Sequence, residues 1–164
     1  MKQPRRLYSS RSTMSSSLKE ITILQYNTNH SSYKIQTPFL QQMRPEEHHI
    51  IAIQEPWINP RTRKTVTHPG YHTILPDDHC PRTAIYITKE IATTSWEAIC
   101  HSGDLATLKL KTEDLIIHIH NCYNPHRPYT DQGLGTIPLI QKAIQESEEV
   151  EHILLGDFNL HHPK

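Results

Sequence analysis

A series of short segments rich in apolar and β-branched residues runs along this sequence from residue 21 to residue 155. Each is short enough to be a strand and too short to be an ordinary helix. The run at 49–54 is almost continuously apolar, which indicates a strand covered on both faces. The middle segments follow one another at regular spacing, which predicts an antiparallel meander. The predicted strands are 21–26, 49–54, 71–75, 83–88, 93–99, 105–111, 114–121 and 152–155.

Two helical patterns accompany these strands. The first begins near Thr37, which we expect to cap the helix, with Pro38 at the first helical position. The second lies in the later half of 129–145, where apolar residues recur at helical spacing. Strands in the middle with helices outside predict an α/β sandwich.

Residues 1–19 differ in composition from the remainder, since they carry several basic residues, many serines and no acidic residue. Such a segment has too little apolar surface to offset the entropy of ordering it. We therefore expect a disordered tail at 1–19, followed by one domain at 20–164. The alternative is that the tail is an arm for nucleic-acid binding or for targeting.

Charge and cysteine content exclude several classes of protein. The formal net charge is zero with all 13 His neutral, whereas an architectural DNA-binding protein carries a positive excess. An enzyme that contacts DNA in one cleft is not excluded. Cys80, Cys100 and Cys122 form no Cys-x-x-Cys pair, which favours a reducing intracellular compartment, either nucleus or cytoplasm. No segment is apolar for the length of a membrane span, so we expect no membrane partner.

Polar side chains follow four of the predicted strands, at the point where each strand ends. Strands that end on one edge of a sandwich bring such side chains together on rigid supports. Carboxylates, amides and a phenol suit Mg²⁺, which can polarise a phosphodiester. Taken singly, each residue is better explained as a cap or a turn residue, and it is their coincidence in order and context that favours a functional site. The residues are Asn27, Glu55, Tyr123 with Asn124, and Asp157 with Asn159.

Four motifs around these positions resemble the endonuclease/exonuclease/phosphatase superfamily. They are Gln25-Tyr26-Asn27, Gln54-Glu55-Pro56-Trp57, Asn121-Cys122-Tyr123-Asn124-Pro125 and Leu155-Gly156-Asp157-Phe158-Asn159. More narrowly, they resemble the apurinic-type endonuclease domain that precedes the reverse transcriptase in LINE-type (non-LTR) retrotransposons. The segment 81–87 and the ending His161-His162-Pro163 are also typical of that branch. The resemblance covers residue 21 to the end and implies a four-layer α/β sandwich, incomplete at its C-terminus.

The resemblance also implies a role for each matched residue in a DNA-nicking endonuclease. Glu55 would be the main ligand of Mg²⁺, with Mn²⁺ as an alternative ion, and Asn27 would lie beside it. Tyr123 would contact the phosphate or assist the leaving group. Asp157 would align and deprotonate the attacking water, and Asn159 would hold a phosphate oxygen.

Five residues are candidates for substrate binding. Trp57 can stack on a base, and the basic side chains of the loop that follows it can meet phosphates. A solvated loop with a packed Trp is the alternative. The full set is Asn124, Trp57, Arg61, Arg63 and His161.

The chain departs from the family pattern in two places. Asn29 occupies a position where repair-type relatives often have an acid, and no Ser-Asp-His motif follows Asp157. The resemblance therefore implies a domain that is cut short, with little or no nuclease activity of this chain alone and a reverse transcriptase domain as a possible downstream partner. The alternatives are a phosphatase of the same superfamily and a non-catalytic transposon remnant.

The 13 histidines raise the question of a zinc site. Zinc needs three or four converging ligands, and the sequence shows no such group, so we predict no histidine-based zinc site. His118 and His120 alternate along a predicted strand and share a face, which we expect to be the polar face of a half-buried strand.

Overall fold

A computed structural model describes residues 20–125, 135–146 and 150–159 of the chain. The predicted tail at 1–19, the first part of the pattern at 129–145, and His161 lie outside these residues. No helix within the described ranges is long and apolar enough to cross a membrane. The elements are β1 (Ile23–Asn27), α1 (Tyr33–Gln41), β2 (Ile50–Gln54), β3 (Tyr71–Ile74), β4 (Thr83–Thr88), a 3₁₀ turn (Thr93–Ser95), β5 (Trp96–Ser102), β6 (Leu105–Lys111), β7 (Ile116–Tyr123), α2 (Ile137–Gln145) and β8 (Glu151–Asp157).

The strands form two mixed sheets. Sheet A has the order β1-β2-β4-β3, and sheet B has the order β5-β6-β7-β8. β1 is parallel to β2 and β7 is parallel to β8, whereas the other neighbours are antiparallel. The predicted meander is therefore divided between the two sheets. β4 already has β2 and β3 on its two edges, so β5 begins a new sheet after the 3₁₀ turn.

The two sheets pack face to face, with a helix on each outer face. Residues such as Ile85 and Ile87 of sheet A meet Leu108 and Ile119 of sheet B in a buried apolar core. α1 covers the outer face of sheet A, where Leu40 packs on a second apolar cluster. α2 covers part of the outer face of sheet B through its residues Ile140 and Ala143. The predicted four-layer α/β arrangement is thereby confirmed.

The start of α1 differs from the prediction at Thr37. The helix begins at Tyr33 and contains Pro38, although a proline inside a helix removes one hydrogen-bond donor. Tertiary contacts hold the turn that precedes this proline. The buried Gln36 amide donates to the Thr65 hydroxyl oxygen at 3.0 Å and accepts from the Trp57 backbone N–H at 2.7 Å. The helix start is therefore set by tertiary hydrogen bonds rather than by the local cap signal.

Candidate active site

The parallel strand pairs bring the predicted polar residues to one end of the sandwich. Asn27 at the end of β1 is in register with Gln54, and Tyr123 at the end of β7 is in register with Asp157. The Asn27 side chain Nδ2 donates to Asp157 Oδ2 at 2.8 Å, which joins sheet A to sheet B. We call Asn27, Glu55, Tyr123 and Asp157 the carboxylate site.

Glu55 is the most enclosed carboxylate of this site. It follows β2 directly and is 7% exposed. Its Oε2 lies 2.9 Å from His30 Nε2, and its carboxylate accepts a hydrogen bond from the Tyr123 hydroxyl. Its backbone N–H donates to the Arg82 carbonyl oxygen at 2.8 Å. A carboxylate removed from water needs such partners, and they fix where it can meet a cation.

Left-handed backbone is concentrated around the carboxylate site. Within the described residues, positive φ angles at non-glycine positions occur at Asn29 (48°), His30 (51°), Glu55 (51°), Arg63 (57°) and Asn159 (43°). All but Arg63 are members of the site or adjoin it. Each such residue costs on the order of 1 kcal/mol and persists where the surroundings determine it. The loops at the strand ends are therefore held in specific, unfavourable conformations.

Asp157 is placed by an unusual approach of two strands. Gly156 precedes it in β8 with φ of 148°, and a Cβ there would overlap the Cys122 carbonyl oxygen. Only glycine lets β8 lie this close to β7 at the residue before the carboxylate. The Asp157 carboxylate then accepts a hydrogen bond from the Asn27 side-chain amide. Asn27 Oδ1 in turn accepts a hydrogen bond from the Asn29 backbone N–H at 2.8 Å. Both sides of the Asn27–Asp157 contact are thus oriented.

Tyr123 lies beside the guanidinium of Arg82, a residue that the sequence analysis did not identify as part of a site. Burial, the hydrogen bond to Glu55 and the charge of Glu55 raise the pKa of Tyr123 to about 12. The Arg82 guanidinium lies 4.8 Å from the centre of the Tyr123 ring. Arg82 is itself held by Asp104, with contacts of 2.6 Å and 2.5 Å. Burial alone would lower the pKa of Arg82, but Asp104 outweighs it and raises the pKa, so the cation is permanent.

The signal that would have found Arg82 is the pairing of β2 with β4. Arg82 immediately precedes β4, and Gln54 at the end of β2 is in register with Thr83 at the start of β4. Because the strands are antiparallel, a residue before β4 lies at the same end as a residue after β2. Local sequence patterns do not show this pairing, so Arg82 was counted only as part of a strand motif.

Asn124 and Asn159 hold the two site loops together. Asn124 Nδ2 donates to the Phe158 carbonyl oxygen at 2.9 Å, and Asn124 Oδ1 accepts the Thr136 backbone N–H at 2.9 Å. Asn159 Nδ2 donates to the Asn124 carbonyl oxygen at 2.9 Å. Both side-chain amides are engaged in these contacts, and their predicted roles toward substrate stay predictions.

A buried ladder of amides supports the carboxylate site from below. Gln54 and Asn121 have no exposed surface. Gln54 Nε2 donates to Asn121 Oδ1, and Asn121 Nδ2 donates to the carbonyl oxygens of Ile53 at 3.0 Å and Ala84 at 2.9 Å. Since Asn121 belongs to sheet B and its partners to sheet A, the ladder sets the position of one sheet on the other.

The predicted substrate loop follows Glu55 on the outside of the site. Trp57 is half-buried, with its ring 5.6 Å from that of Tyr33. Arg61 and Arg63 are exposed in a turn, where Asn59 Oδ1 accepts the Arg61 N–H at 2.9 Å. The arrangement presents two cations to solvent on the loop that follows Glu55.

The donor atoms of the carboxylate site fit a hard divalent cation. Glu55 and Asp157 supply carboxylate oxygens, and Asn27 Oδ1 keeps a second lone pair after accepting the Asn29 N–H. Oxygen donors of this kind suit Mg²⁺ or Mn²⁺. We therefore regard Glu55 and Asn27 as the residues that would hold the ion, with Asp157 beside them.

Known structures provide a comparison for this fold. The endonuclease domain of TRAS1, a telomere-specific non-LTR retrotransposon, aligns with a TM-score of 0.56 and 14% identity, over 87% of this chain and 61% of its own. D. rerio TDP2 complexed with a single-strand DNA product gives 0.56 and 14%, over 87% and 62%. AP endonuclease LMAP from Leishmania major gives 0.57 and 13%, over 85% and 55%. This chain thus spans about 60% of the length of the first two structures. By sequence alone, no protein-family profile and no curated protein matches the chain.

Proposed function

From the endonuclease/exonuclease/phosphatase fold that this chain shares with those structures, we propose that it is a divalent-metal-dependent endonuclease that hydrolyses phosphodiester bonds in DNA. The observation that carries the proposal is the meeting of Asn27 and Asp157 across two sheets, where the charges of both Asp157 and the enclosed Glu55 act on the same Tyr123 hydroxyl. No local turn or cap requires an amide of one sheet to orient a carboxylate of the other.

Electrostatics supports a cation in this site. A DNA phosphate that approaches Glu55 and Asp157 meets two negative charges, and repulsion at a few ångströms is strong where water is partly excluded. When bound, Mg²⁺ offsets this repulsion and polarises the phosphodiester. Glu55 and Asn27 would bind the ion, whereas the Arg82 cation beside Tyr123 is already paired with Asp104.

Asp157 and Tyr123 have different roles in the proposed reaction. Asp157, oriented by the Asn27 amide, accepts a proton from the attacking water. Tyr123 keeps its proton at neutral pH because its pKa is raised to about 12. It therefore acts as a hydrogen-bond donor and not as a base, and its single O–H must leave Glu55 to donate to the phosphate or to the leaving oxygen. The Arg82 guanidinium lies over the face of the Tyr123 ring and helps to position it.

DNA is the proposed substrate because of both the loop and the comparisons. Trp57, Arg61 and Arg63 lie on the loop that leaves Glu55, where an indole and two cations can meet bases and phosphates. TRAS1 is described as a retrotransposon endonuclease, and TDP2 was solved with a single-strand DNA product. We extend the proposal to target-site nicking by a non-LTR retrotransposon endonuclease with a reverse transcriptase as partner.

Metal binding is the first experiment, because it tests the site in this chain directly. We expect Mn²⁺ to bind the wild-type protein, as measured by loss of the free-ion electron paramagnetic resonance signal. Glu55→Gln should weaken the binding by at least about tenfold, since loss of a direct ligand should cost no less than loss of an outer partner. Glu113→Gln, which alters an exposed acid between β6 and β7, is the matched control. Equal affinity in the wild type and Glu55→Gln would remove the basis of the proposal.

Hydrolysis is the second experiment and separates the alternatives. Metal-dependent nicking of supercoiled plasmid that falls about 100-fold in Asp157→Asn supports the endonuclease with this residue as the base. Hydrolysis of p-nitrophenyl phosphate without nicking indicates the phosphatase. Mn²⁺ binding at Glu55 without either reaction agrees with the expectation of little or no nuclease activity from this chain alone, and it fits both an endonuclease-type site and a remnant that keeps the metal site.

A further inference from the structure

Three histidines converge on the outer face of sheet B. His118 and His120 lie on β7 and His152 lies on β8, and one ring nitrogen of each is within 4.8 Å of the others. His118 and His152 are partners in the parallel register of the two strands. We call these three residues the histidine cluster. The prediction that no three ligands converge among the histidines was wrong. The pairing of β7 with β8 brings His152 next to His118 and His120, which precede it by more than thirty residues in the sequence.

We propose that the histidine cluster binds a divalent transition-metal ion, with Zn²⁺ as the best-suited occupant. Imidazole nitrogens suit zinc and its neighbours in the first transition row and do not suit Mg²⁺. Three protein ligands with an open fourth position are a common zinc arrangement. The proposed ion therefore differs in chemistry from the one proposed for the carboxylate site.

The geometry is close to that of a tetrahedral site. With zinc–nitrogen bonds of about 2.0–2.1 Å, neighbouring ligand nitrogens lie about 3.3 Å apart. His120 Nε2 and His152 Nδ1 are 2.9 Å apart and need to separate only slightly. The widest pair, within 4.8 Å, needs to close by up to about 1.5 Å.

Residues behind the cluster are arranged as supporting partners. His120 Nδ1 is 2.9 Å from the Thr107 hydroxyl oxygen, which is 2.9 Å from His101 Nε2. Metal-binding histidines usually donate their other ring N–H to such a partner, which fixes the tautomer. In the bound form, His120 Nδ1–H donates to Thr107, the Thr107 hydroxyl donates to His101, and the Nε2 lone pair of His120 faces the ion.

Burial keeps the cluster in the form that binds metals. His118 is 5% exposed and His120 has no exposed surface. Burial, together with Lys109 and His152, lowers the pKa of His118. Burial, together with the neighbouring His152, His118 and His101, lowers the pKa of His120 to about 4. Both rings are therefore uncharged at neutral pH, as metal ligands must be.

The histidine cluster is separate from the carboxylate site. Even-numbered residues of β7 and β8 face outward, whereas the odd-numbered Ile119 and Ile153 face the core. Asp157 lies five positions after His152 in the sequence, or about 16 Å along an extended strand. A bound ion would tie β8 to β7 upstream of Asp157. The inference thus goes beyond the proposed function and does not depend on it.

The test uses the full chain after removal of metal with a chelator, followed by titration with Co²⁺. Because the chain has 13 His, the comparison of variants must locate the site. We expect the wild type to bind one equivalent with the visible absorption of nitrogen-coordinated Co²⁺, and Zn²⁺ to displace it. His152→Gln should bind at least about 100-fold more weakly, since a direct ligand is lost. His79→Gln, in an exposed loop, should bind like the wild type.

A second measurement does not depend on whether a variant folds. In nuclear magnetic resonance spectra of the wild type, one equivalent of Co²⁺ should shift the methyl signals of Leu154 on β8 and leave those of Ile35 on α1 unchanged. The same equivalent of Zn²⁺ should raise the melting temperature of the wild type and of His79→Gln, because the ion binds only the folded state. Equal Co²⁺ affinity in His152→Gln and His79→Gln, or the absence of a Leu154 shift, would overturn the proposal.

Discussion

The carboxylate site and the histidine cluster lie on the same two strands, yet they are built in different ways. The carboxylate site lies where β7 and β8 end, on loops with left-handed residues and on a glycine that no other residue can replace. The histidine cluster lies in the middle of the strands, on regular ladder register. Strand ends can aim side chains from two sheets at one point, at the cost of backbone strain. A regular ladder brings side chains together without strain, but only on one face.

Gly156→Ala should have the largest effect, because Gly156 lies on β8 between the histidine cluster and Asp157. The new Cβ would overlap the Cys122 carbonyl oxygen on β7, and the φ of 148° is unfavourable for alanine. We expect a loss of about 2–4 kcal/mol in the free energy of unfolding, measured with urea. Mn²⁺ binding at Glu55 should weaken, because Asp157 is displaced.

Leu154→Ala is the control for Gly156→Ala, because Leu154 lies on the same strand and is 38% exposed. It should lower the free energy of unfolding by much less. A Gly156→Ala protein as stable as Leu154→Ala would show that β8 can move away from β7 at Gly156 without cost. The carboxylate site would then not depend on a backbone approach that only glycine permits.

These two regions also differ in how far the sequence predicts them. Asn27, Glu55 and Asp157 each follow a recognisable strand, so their meeting at one edge follows from strand ends alone. β4 and β6 have the predicted bounds 83–88 and 105–111 because loop residues delimit both. Local pattern is sufficient for such features.

Features that depend on pairing were not predictable from local pattern. The convergence of His118 with His152 requires the parallel register of β7 and β8. The role of Arg82 requires the pairing of β2 with β4. The division of the meander depends on β4 having neighbours on both edges. Each of these features depends on tertiary structure, because a single sequence does not reveal which strands are neighbours in a sheet.

Asn121→Ala removes the amide ladder of Gln54 and Asn121 and should affect the carboxylate site alone. Asn121 lies between His120 and Tyr123 but faces the core, where it bonds to Gln54 and to two carbonyl oxygens of sheet A. Loss of these buried hydrogen bonds should lower the free energy of unfolding by about 2–3 kcal/mol. Asn59→Ala, in an exposed turn, should cost less than about 1 kcal/mol because water replaces its bonds.

Metal measurements complete the test of Asn121→Ala. We expect weaker Mn²⁺ binding and unchanged Co²⁺ binding, because the ladder fixes sheet A on sheet B and not β7 on β8. Equal weakening of both ions would mean that the two regions are not independently supported.

Acid should affect the histidine cluster first. The folded-state pKa values of His118 and His120 lie below that of an unfolded histidine, near 6.5. Their contribution to stability is therefore fully present above pH 6.5 and is lost as pH falls below it, down to about pH 4 for His120. Each histidine gives a slope of up to about 1.4 kcal/mol per pH unit in that window. Urea unfolding in chelator at pH 7, 5.5 and 4 measures this, and His120→Gln should reduce the slope whereas His79→Gln should not.

The smallest expected effect concerns the strain itself. His30 and Arg63 both have left-handed backbone, with φ of 51° and 57°, but only His30 contacts Glu55. Glycine relieves about 1–2 kcal/mol of strain at such a position and loses up to about 1 kcal/mol to unfolded-state entropy. Arg63→Gly should therefore stabilise the protein by about 0.5 kcal/mol. His30→Gly should gain less, because an exposed contact worth up to about 1 kcal/mol is also lost. If both variants gain equally in urea unfolding, the His30–Glu55 contact contributes nothing, and the strain at the carboxylate site is not offset by the contacts that surround it.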